Sequence, residues 1–222
     1  MNKNLTEIIF IIDKSGSMHS LTDDTIGGFN SVLESQRKSV DGEATVTTVL
    51  FSDNVTKLHD RVDVREVEPM TKKQYIASGG TALLDAIGQT IDDVQERIDN
   101  MPEDERPGNI ICAITTDGQE NASRTYTKDR VKKMVEHQTN GHGWEFLFLG
   151  ANMDAVSEAE SIGINRSVTY INDNIGTKCV YDAMGFAASS LRATGEIGPE
   201  WCVNVADYTA SKVADDTASI ST

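Results

Sequence analysis

The chain has 222 residues, which is enough to bury the core of one domain, with or without an appendage. Its 35 acidic residues outnumber its 20 lysines and arginines, and the resulting formal net charge of −15 argues against binding the phosphate backbone of nucleic acid. Its apolar runs are too short to span a membrane, and the N-terminal run IIFII, bracketed by Glu7 and Asp13, does not have the features of a signal peptide.

Four short apolar runs predict central strands that are buried on both faces. They are EIIFIID (residues 7–13), TVTTVLFS (45–52), NIICAITTD (109–117) and WEFLFLG (144–150), and SVTYI (167–171) is a weaker fifth candidate. The polar turn SDN follows the second run and leads into the charged segment KLHDRVDV. This pattern predicts a hairpin to an exposed edge strand.

Helical patterns lie between the predicted strands. The segment 20–38 places apolar residues on one stripe, and the clearest helix carries five apolar residues at alternating spacings of three and four: Leu84, Ile87, Ile91, Val94 and Ile98. Thr81 lies at the start of this helix, where its hydroxyl is expected to cap it. Further helices are predicted at about 128–138, 154–162 and 176–192. Strands that alternate with helices of this length predict an α/β fold with a doubly wound, mostly parallel sheet, one antiparallel edge strand and helices on both faces.

The pattern fades from about Gly195, so we expect a domain over residues 1–194 and a C-terminal extension over residues 195–222. The segment GEIGPEWCVNV could add a strand or pack on the domain, and Trp201 within it is expected to pack in the core. The small, polar segment DYTASKVADDTASIST is expected to be disordered.

The cysteines are few, odd in number and widely spaced: Cys112, Cys179 and Cys202. No CxxC pair is present for zinc binding or redox chemistry. This pattern favours reduced thiols and predicts a cytoplasmic protein.

Polar side chains from three separate segments are predicted to meet at one edge of the sheet. Asp13 and Asp117 each close an apolar run, and ligands of open α/β sheets gather at the carboxyl ends of the strands. Ser15 and Ser17 follow the first of these aspartates, and Thr81 follows two glycines in the loop ASGGT. The sequence therefore places two carboxylates and three hydroxyls at one rim.

These residue types suit a hard divalent cation. Mg²⁺ takes about six oxygen ligands in octahedral geometry and usually keeps several waters. Hydroxyls two residues apart in an extended segment can face one point, because side chains alternate with a period of two. Neutral hydroxyl ligands quench little of the charge of the cation, which therefore stays able to accept an anionic oxygen from outside. Carboxylates behind the hydroxyls would fix the geometry, partly through water.

Three motifs give the chain a resemblance to von Willebrand factor A-type domains. DKSGS (13–17) matches the DxSxS signature, SGGTAL (78–83) the threonine loop and TTDGQEN (115–121) the segment of the distal aspartate, in the order of a complete metal-ion-dependent adhesion site. The likeness covers roughly residues 7–171 and implies a Rossmann-like sheet, a bound Mg²⁺ (or Mn²⁺) and capture of a glutamate or aspartate of a protein partner. By this resemblance Ser15 and Ser17 are direct ligands, and Thr81, Asp13 and Asp117 bind directly or through water.

Two other functions remain open at this point: an Mg²⁺-dependent phosphatase-like enzyme, and a scaffold that metal merely stabilises. The haloacid-dehalogenase type of phosphotransferase needs a carboxylate two residues after the nucleophilic aspartate, and Ser15 stands there instead. The GxSxG motif of serine hydrolases and the GxxxxGK[ST] loop of nucleotide-binding proteins are absent. We therefore expect a protein-binding module without catalytic residues, without nucleic acid and without a membrane partner.

Several polar residues near the motifs have an ordinary structural interpretation. Asp53 is expected to serve a turn, and His19 to face solvent. Asp85 is expected to interact with the start of its helix or to face solvent. Glu120 and Asn121 follow the distal aspartate closely, so they could tune the choice of ligand.

Overall fold

Six strands form one mixed sheet at the centre of the molecule. The computed structural model describes residues 1–151 and 154–220, and in these ranges the strands are β1 (Asn2–Asp13), β2 (Glu43–Phe51), β3 (Val55–Asp63), β4 (Pro107–Thr116), β5 (Glu145–Ala151) and β6 (Arg166–Tyr170). They pair in the order β3-β2-β1-β4-β5-β6. All neighbours are parallel except β2 and β3, which form an antiparallel hairpin at one edge. The predicted doubly wound, mostly parallel sheet with one antiparallel edge strand is confirmed.

Helices cover both faces of the sheet. They are α1 (Thr22–Lys38), α2 (Leu83–Asp99), α3 (Lys128–His142), α4 (Ala155–Ser161), α5 (Asn174–Thr194) and α6 (Val203–Ile220), with short 3₁₀ turns at Gly16–Leu21, Glu103–Glu105 and Pro199–Cys202. Helices α1, α5 and α6 pack on one face, and α2, α3 and α4 pack on the other. Within the described ranges, none of the helices combines the length and the apolar character needed to cross a membrane.

The central strand β1 shows why the apolar runs are continuous instead of alternating. Ile8, Phe10 and Ile12 point into the core beneath α1 and α5, whereas Ile9 and Ile11 point into the core beneath α2 and α3. All five are at most 1% exposed. Burial of each such side chain contributes about 1.5–3 kcal/mol, so an apolar residue is favoured at every position of this strand.

Helices α1 and α5 approach closely at a glycine. A Cβ atom on Gly28 would lie 2.3 Å from the ring of Tyr181, so a larger residue there would collide with a buried side chain. The neighbouring Gly27 points away from this contact, and a Cβ there would meet nothing within 4 Å. Tight packing of this helix pair therefore depends on the second glycine and not on the first.

The C-terminal extension packs against the domain. Helix α5 ends at Thr194, and Gly195 turns the chain in a left-handed conformation with φ of 78°. Trp201 is 5% exposed and Val205 is fully buried, which confirms that the tryptophan packs in the core. The part of the extension that was expected to be disordered is helical up to residue 220, and residues 221 and 222 lie outside the described residues. The apolar contacts of Trp201, just before α6, and of Val205, in its first turn, anchor the helix to the domain.

Candidate metal centre

The parallel pairing of β1 and β4 brings the two aspartates to the same edge of the sheet. Ile12 pairs with Thr115, so both strands end at the same level. Asp13 is the last residue of β1, and Asp117 follows the last residue of β4. The placement expected from the two strand ends is therefore present.

Asp13 is completely buried and receives two hydrogen bonds through its carboxylate. The backbone N–H of Ser15 donates to Oδ1 (2.6 Å), and the hydroxyl of Thr116 donates to Oδ2 (2.7 Å). The hydroxyl of Tyr75 donates to the backbone carbonyl of Asp13 (2.6 Å), which fixes the end of the strand. Burial raises the pKa of the Asp13 carboxyl to about 6, although these hydrogen bonds lower it, and the nearby charge of Asp117 adds to the increase.

The two serine hydroxyls and the second aspartate form a continuous set of oxygens. Ser15 Oγ and Ser17 Oγ lie 3.1 Å apart, and Ser17 Oγ donates to Asp117 Oδ1 (2.5 Å). Ser15 is 2% exposed, whereas Ser17 is exposed. The oxygens therefore run from the buried carboxylate of Asp13 out to the molecular surface.

Thr81 lies beside this set. A Cβ atom placed on Gly118 would lie 3.1 Å from Thr81 Oγ1 and 3.9 Å from Ser17 Oγ, so the glycine backbone lies close to both hydroxyls. Thr81 is 3% exposed. The structure thus brings all five residues predicted from the sequence, which also include Asp13 and Asp117, to one rim.

The glycines of the threonine loop permit close contact with the serine segment. The N–H of Gly16 donates to the carbonyl of Gly79 (3.0 Å), and Gly79 has a left-handed φ of 80°. Asp53 accepts a hydrogen bond from the N–H of Gly80 through Oδ1 (2.8 Å). Asp53, expected to serve a turn, therefore also holds the loop that carries Thr81.

The expectation that Thr81 caps α2 is wrong. The N-cap position is Ala82, and no side chain of that residue caps the helix. The segment after Asp117 supplies the caps instead: the N–H of Leu84 donates to Glu120 Oε2 (2.9 Å), and the N–H of Asp85 donates to Ser123 Oγ (3.0 Å). Glu120 thus has a structural role at the start of α2, where a negative charge is favourable.

Further hydrogen bonds fasten the loop after Asp117 to the same helix. Asn121 Oδ1 accepts from the N–H of Thr81 (2.9 Å). The carboxylate of Asp85 accepts from three consecutive backbone N–H groups at 2.8–2.9 Å: those of Arg124, Thr125 and Tyr126. The segments that carry Thr81 and Asp117 are therefore joined into one unit.

Three contributors to the site were not predicted from the sequence: Thr116, Tyr75 and Asn172. Thr116 adjoins Asp117 in the TTDG motif, and this position at the end of a predicted strand could have marked it as a neighbour of the site. Nothing local marks the other two as neighbours of the site. His19 is exposed as expected, while Met18 is 2% exposed and belongs to the core.

Comparison with known proteins supports the fold. No protein-family model matches the sequence, and curated proteins include no similar sequence. Solved structures do match. One is proximal thread matrix protein 1 from the mussel byssus with a zinc-occupied MIDAS motif, at 18% identity and a TM-score of 0.55 over 85% of this chain and 47% of that chain. Another is the von Willebrand factor type A protein from Catenulispora acidiphila, at 14% identity and a TM-score of 0.54 over 85% of this chain and 43% of that chain. The fold is that of a von Willebrand factor A-type (vWA) domain.

A third match is the D319A mutant of the PilB minor pilin from Streptococcus sanguinis, at 14% identity and a TM-score of 0.62 over 86% of this chain and 62% of that chain. The chain spans about half the length of the first solved chains that it matches. Identities below 20% establish the vWA fold alone, so the chemistry of the rim must be judged from its own residues.

The donor atoms at the rim fit a small, hard cation. Ligands 2.1 Å from an octahedral Mg²⁺ lie about 3 Å from their neighbours. The separation of 3.1 Å between Ser15 Oγ and Ser17 Oγ matches that spacing. Across the described part of the chain, no group of three or more His, Cys, Asp or Glu side chains could hold a metal ion, so a metal centre here would depend on hydroxyl oxygens. Such oxygen donors favour Mg²⁺ or Mn²⁺ over softer metals.

Proposed function

We propose that this vWA domain is a protein-interaction module that holds a divalent cation and uses it to bind an acidic residue of a partner protein. Ser15, Ser17 and Thr81 would hold the cation, with Asp13 and Asp117 binding directly or through water. When bound, the cation supplies a positive site that accepts a glutamate or aspartate carboxylate of the partner. Mg²⁺ is the proposed ion and Mn²⁺ the alternative.

The observation that carries this proposal is the meeting of two distant segments in one chain of oxygens, with Thr81 of a third segment beside it. Ser15, Ser17 and Asp117 are linked by separations of 3.1 Å and 2.5 Å, although one hundred positions separate the second serine from the aspartate. A polar turn would account for the serines alone, but not for their convergence with the distal aspartate. The similarity to a mussel protein with a zinc-occupied MIDAS motif supports a divalent cation in the same place.

The charge of the protein supports a cation as the mediator. With a formal net charge of −15, the surface repels an incoming carboxylate. Asp117 is part of the rim, so the local charge has the same sign. A cation coordinated mainly by neutral hydroxyls reverses that sign at one point, and this makes the binding of an acidic partner dependent on the metal.

The environment of Asp13 argues for a binding module and against an aspartyl phosphotransferase. Asp13 is fully buried, and both of its carboxylate oxygens accept hydrogen bonds from the protein. A nucleophilic carboxylate needs an oxygen that can reach the substrate. We further propose a cytoplasmic location, which the three free thiols support.

Thermal unfolding with and without Mg²⁺ or Mn²⁺ tests the metal site. A cation at 100 times its Kd should stabilise the native state by about 2.7 kcal/mol, and Asp117→Ala should abolish this gain. Asp104→Ala is the matched control, because Asp104 is an exposed carboxylate just before β4 begins, at the opposite edge of the sheet. An equal metal-induced gain in all three proteins would contradict the proposed site.

Affinity capture tests the function. The native chain should retain a partner with Mg²⁺ present and lose it in chelator, and Asp13→Ala should retain none. Stabilisation by metal without any chelator-sensitive partner would favour the scaffold. Turnover of phosphate esters that Asp13→Asn abolishes would favour the enzyme.

A further inference from the structure

A hydrogen-bonded connection runs from the rim to the C-terminal extension. It begins at Asp117, whose Oδ1 accepts from Ser17 and whose Oδ2 accepts from Asn172 Nδ2 (3.1 Å). Bonds to both oxygens from different segments fix the plane of the carboxylate. Asn172 lies in the junction between β6 and α5, a segment that belongs to none of the three motifs of the rim.

The residue next to Asn172 is held from two sides. Asp173 is the N-cap of α5, and its Oδ1 accepts from the N–H of Gly176 (2.7 Å). Its Oδ2 accepts from the hydroxyl of Tyr208 on α6 (2.6 Å). A single carboxylate thus joins the start of α5 to the extension and fixes the main chain beside Asn172.

Helix α6 contacts the same junction at a second point and is itself anchored. The hydroxyl of Thr209 donates to the carbonyl of Thr169 on β6 (3.3 Å). Val205, one turn earlier in α6, is fully buried, and Trp201 precedes the helix in the core. Consecutive residues of α6 therefore hold both ends of the segment that carries Asn172.

We propose that Asn172 is a positioning residue for Asp117, and that α6 keeps Asn172 in place through Tyr208 and Asp173. The C-terminal extension then raises the affinity of the rim for a divalent cation without contacting the cation. This inference rests on the proposed function of the rim, and it gives the extension a role that the three motifs do not contain. Residues that orient a metal ligand commonly change metal affinity by 10–100-fold when removed.

Mn²⁺ titration by calorimetry on the full chain tests the proposal with two variants and a control. Asn172→Ala should weaken Mn²⁺ binding on the order of tenfold, and Tyr208→Phe, which removes one oxygen, should weaken it by a smaller factor. Gln95→Ala is the matched control for Asn172→Ala, because the side-chain amide of Gln95 also donates to a carboxylate (Asp99 Oδ1, 2.7 Å), but in the last turns of α2 and away from the rim. This control should leave the Kd unchanged.

A double-mutant cycle separates positioning from a general loss of stability. If Tyr208 acts through Asn172, Tyr208→Phe should have no further effect on the Kd in the Asn172→Ala background. Equal Kd values for wild type, Asn172→Ala and Tyr208→Phe, or additive effects of the two substitutions, would overturn the inference while leaving the metal site intact. A wild-type chain that binds no Mn²⁺ would overturn the proposed function and the inference together.

Discussion

Replacement of Thr116 by valine should destabilise the metal-free protein, because the hydroxyl of Thr116 supports a buried charge. Its Oγ1 donates to Asp13 Oδ2 (2.7 Å) and accepts from the N–H of Gly118 (3.3 Å). Valine keeps the branched shape and suits a strand, so the loss is mainly that of the hydrogen bonds. A hydrogen bond to a charged group contributes about 1.5–3 kcal/mol. We therefore expect Thr116→Val to lower the free energy of unfolding by about 2–3 kcal/mol.

Thr115→Val provides the matched control for this prediction. Thr115 precedes Thr116 on β4, is equally buried and points to the opposite face of the sheet, where its neighbour is the neutral hydroxyl of Tyr181. The loss for Thr115→Val should therefore stay within about 1 kcal/mol. Urea unfolding of both variants in chelator, followed by the fluorescence of the buried Trp144 and Trp201, measures the difference. Equal losses would refute the view that Thr116 stabilises the Asp13 carboxylate.

Three further predictions concern parts of the molecule away from the rim. Gly28→Ala should destabilise the folded protein by about 1–3 kcal/mol through overpacking, whereas Gly27→Ala should stabilise it by about 0.5–1 kcal/mol through helix propensity. Urea unfolding of both variants measures the difference. Equal effects would contradict the contact described between α1 and α5. Burial lowers the pKa of His59 below 6.5, because the folded protein favours the neutral imidazole. The stability that this preference contributes is fully present above pH 6.5 and is lost as the pH falls through the lowered pKa. His59→Phe should flatten this acid loss while His19→Asn, at an exposed site, should not; similar pH profiles for both variants would exclude His59 as the cause. Burial raises the pKa of the Cys112 thiol, so in native protein it should resist alkylation that labels the other two cysteines, as peptide mapping would show; equal labelling of all three would contradict its burial.

The sheet could be predicted from the sequence because each central strand contains an apolar run that does not alternate with polar residues. The start of β1 was missed, since Asn2 joins the strand through main-chain pairing with Pro107, which leaves no apolar signal. The helix of the extension was missed for a related reason. Its apolar residues are mainly alanines and valines that form no obvious stripe, and the burial of Trp201 and Val205 depends on α5, which local patterns do not reveal.

At the rim, the five predicted oxygen donors followed from strand ends and spacing, whereas the residues that hold them did not. Thr81 stands where a helix cap is expected, but Glu120 reaches the helix from 36 positions away in the chain and takes that role. Asn172 reaches Asp117 from 55 positions away. Such contacts depend on the tertiary arrangement of loops, which a single sequence specifies only through the complete fold.

The attachment of the Asp117 loop to the first turn of α2 has a consequence for natural variation in this fold. Because Asp85 holds three consecutive amides of that loop, a substitution at Asp85 would shift the distal carboxylate while every oxygen donor of the rim stayed in the sequence. Two related chains could therefore share all three signatures and still differ in the position of this carboxylate and, under the proposed function, in their affinity for a divalent cation. Comparisons of such proteins should therefore include Asp85 in the first turn of α2, because substitutions there leave the three motifs unchanged.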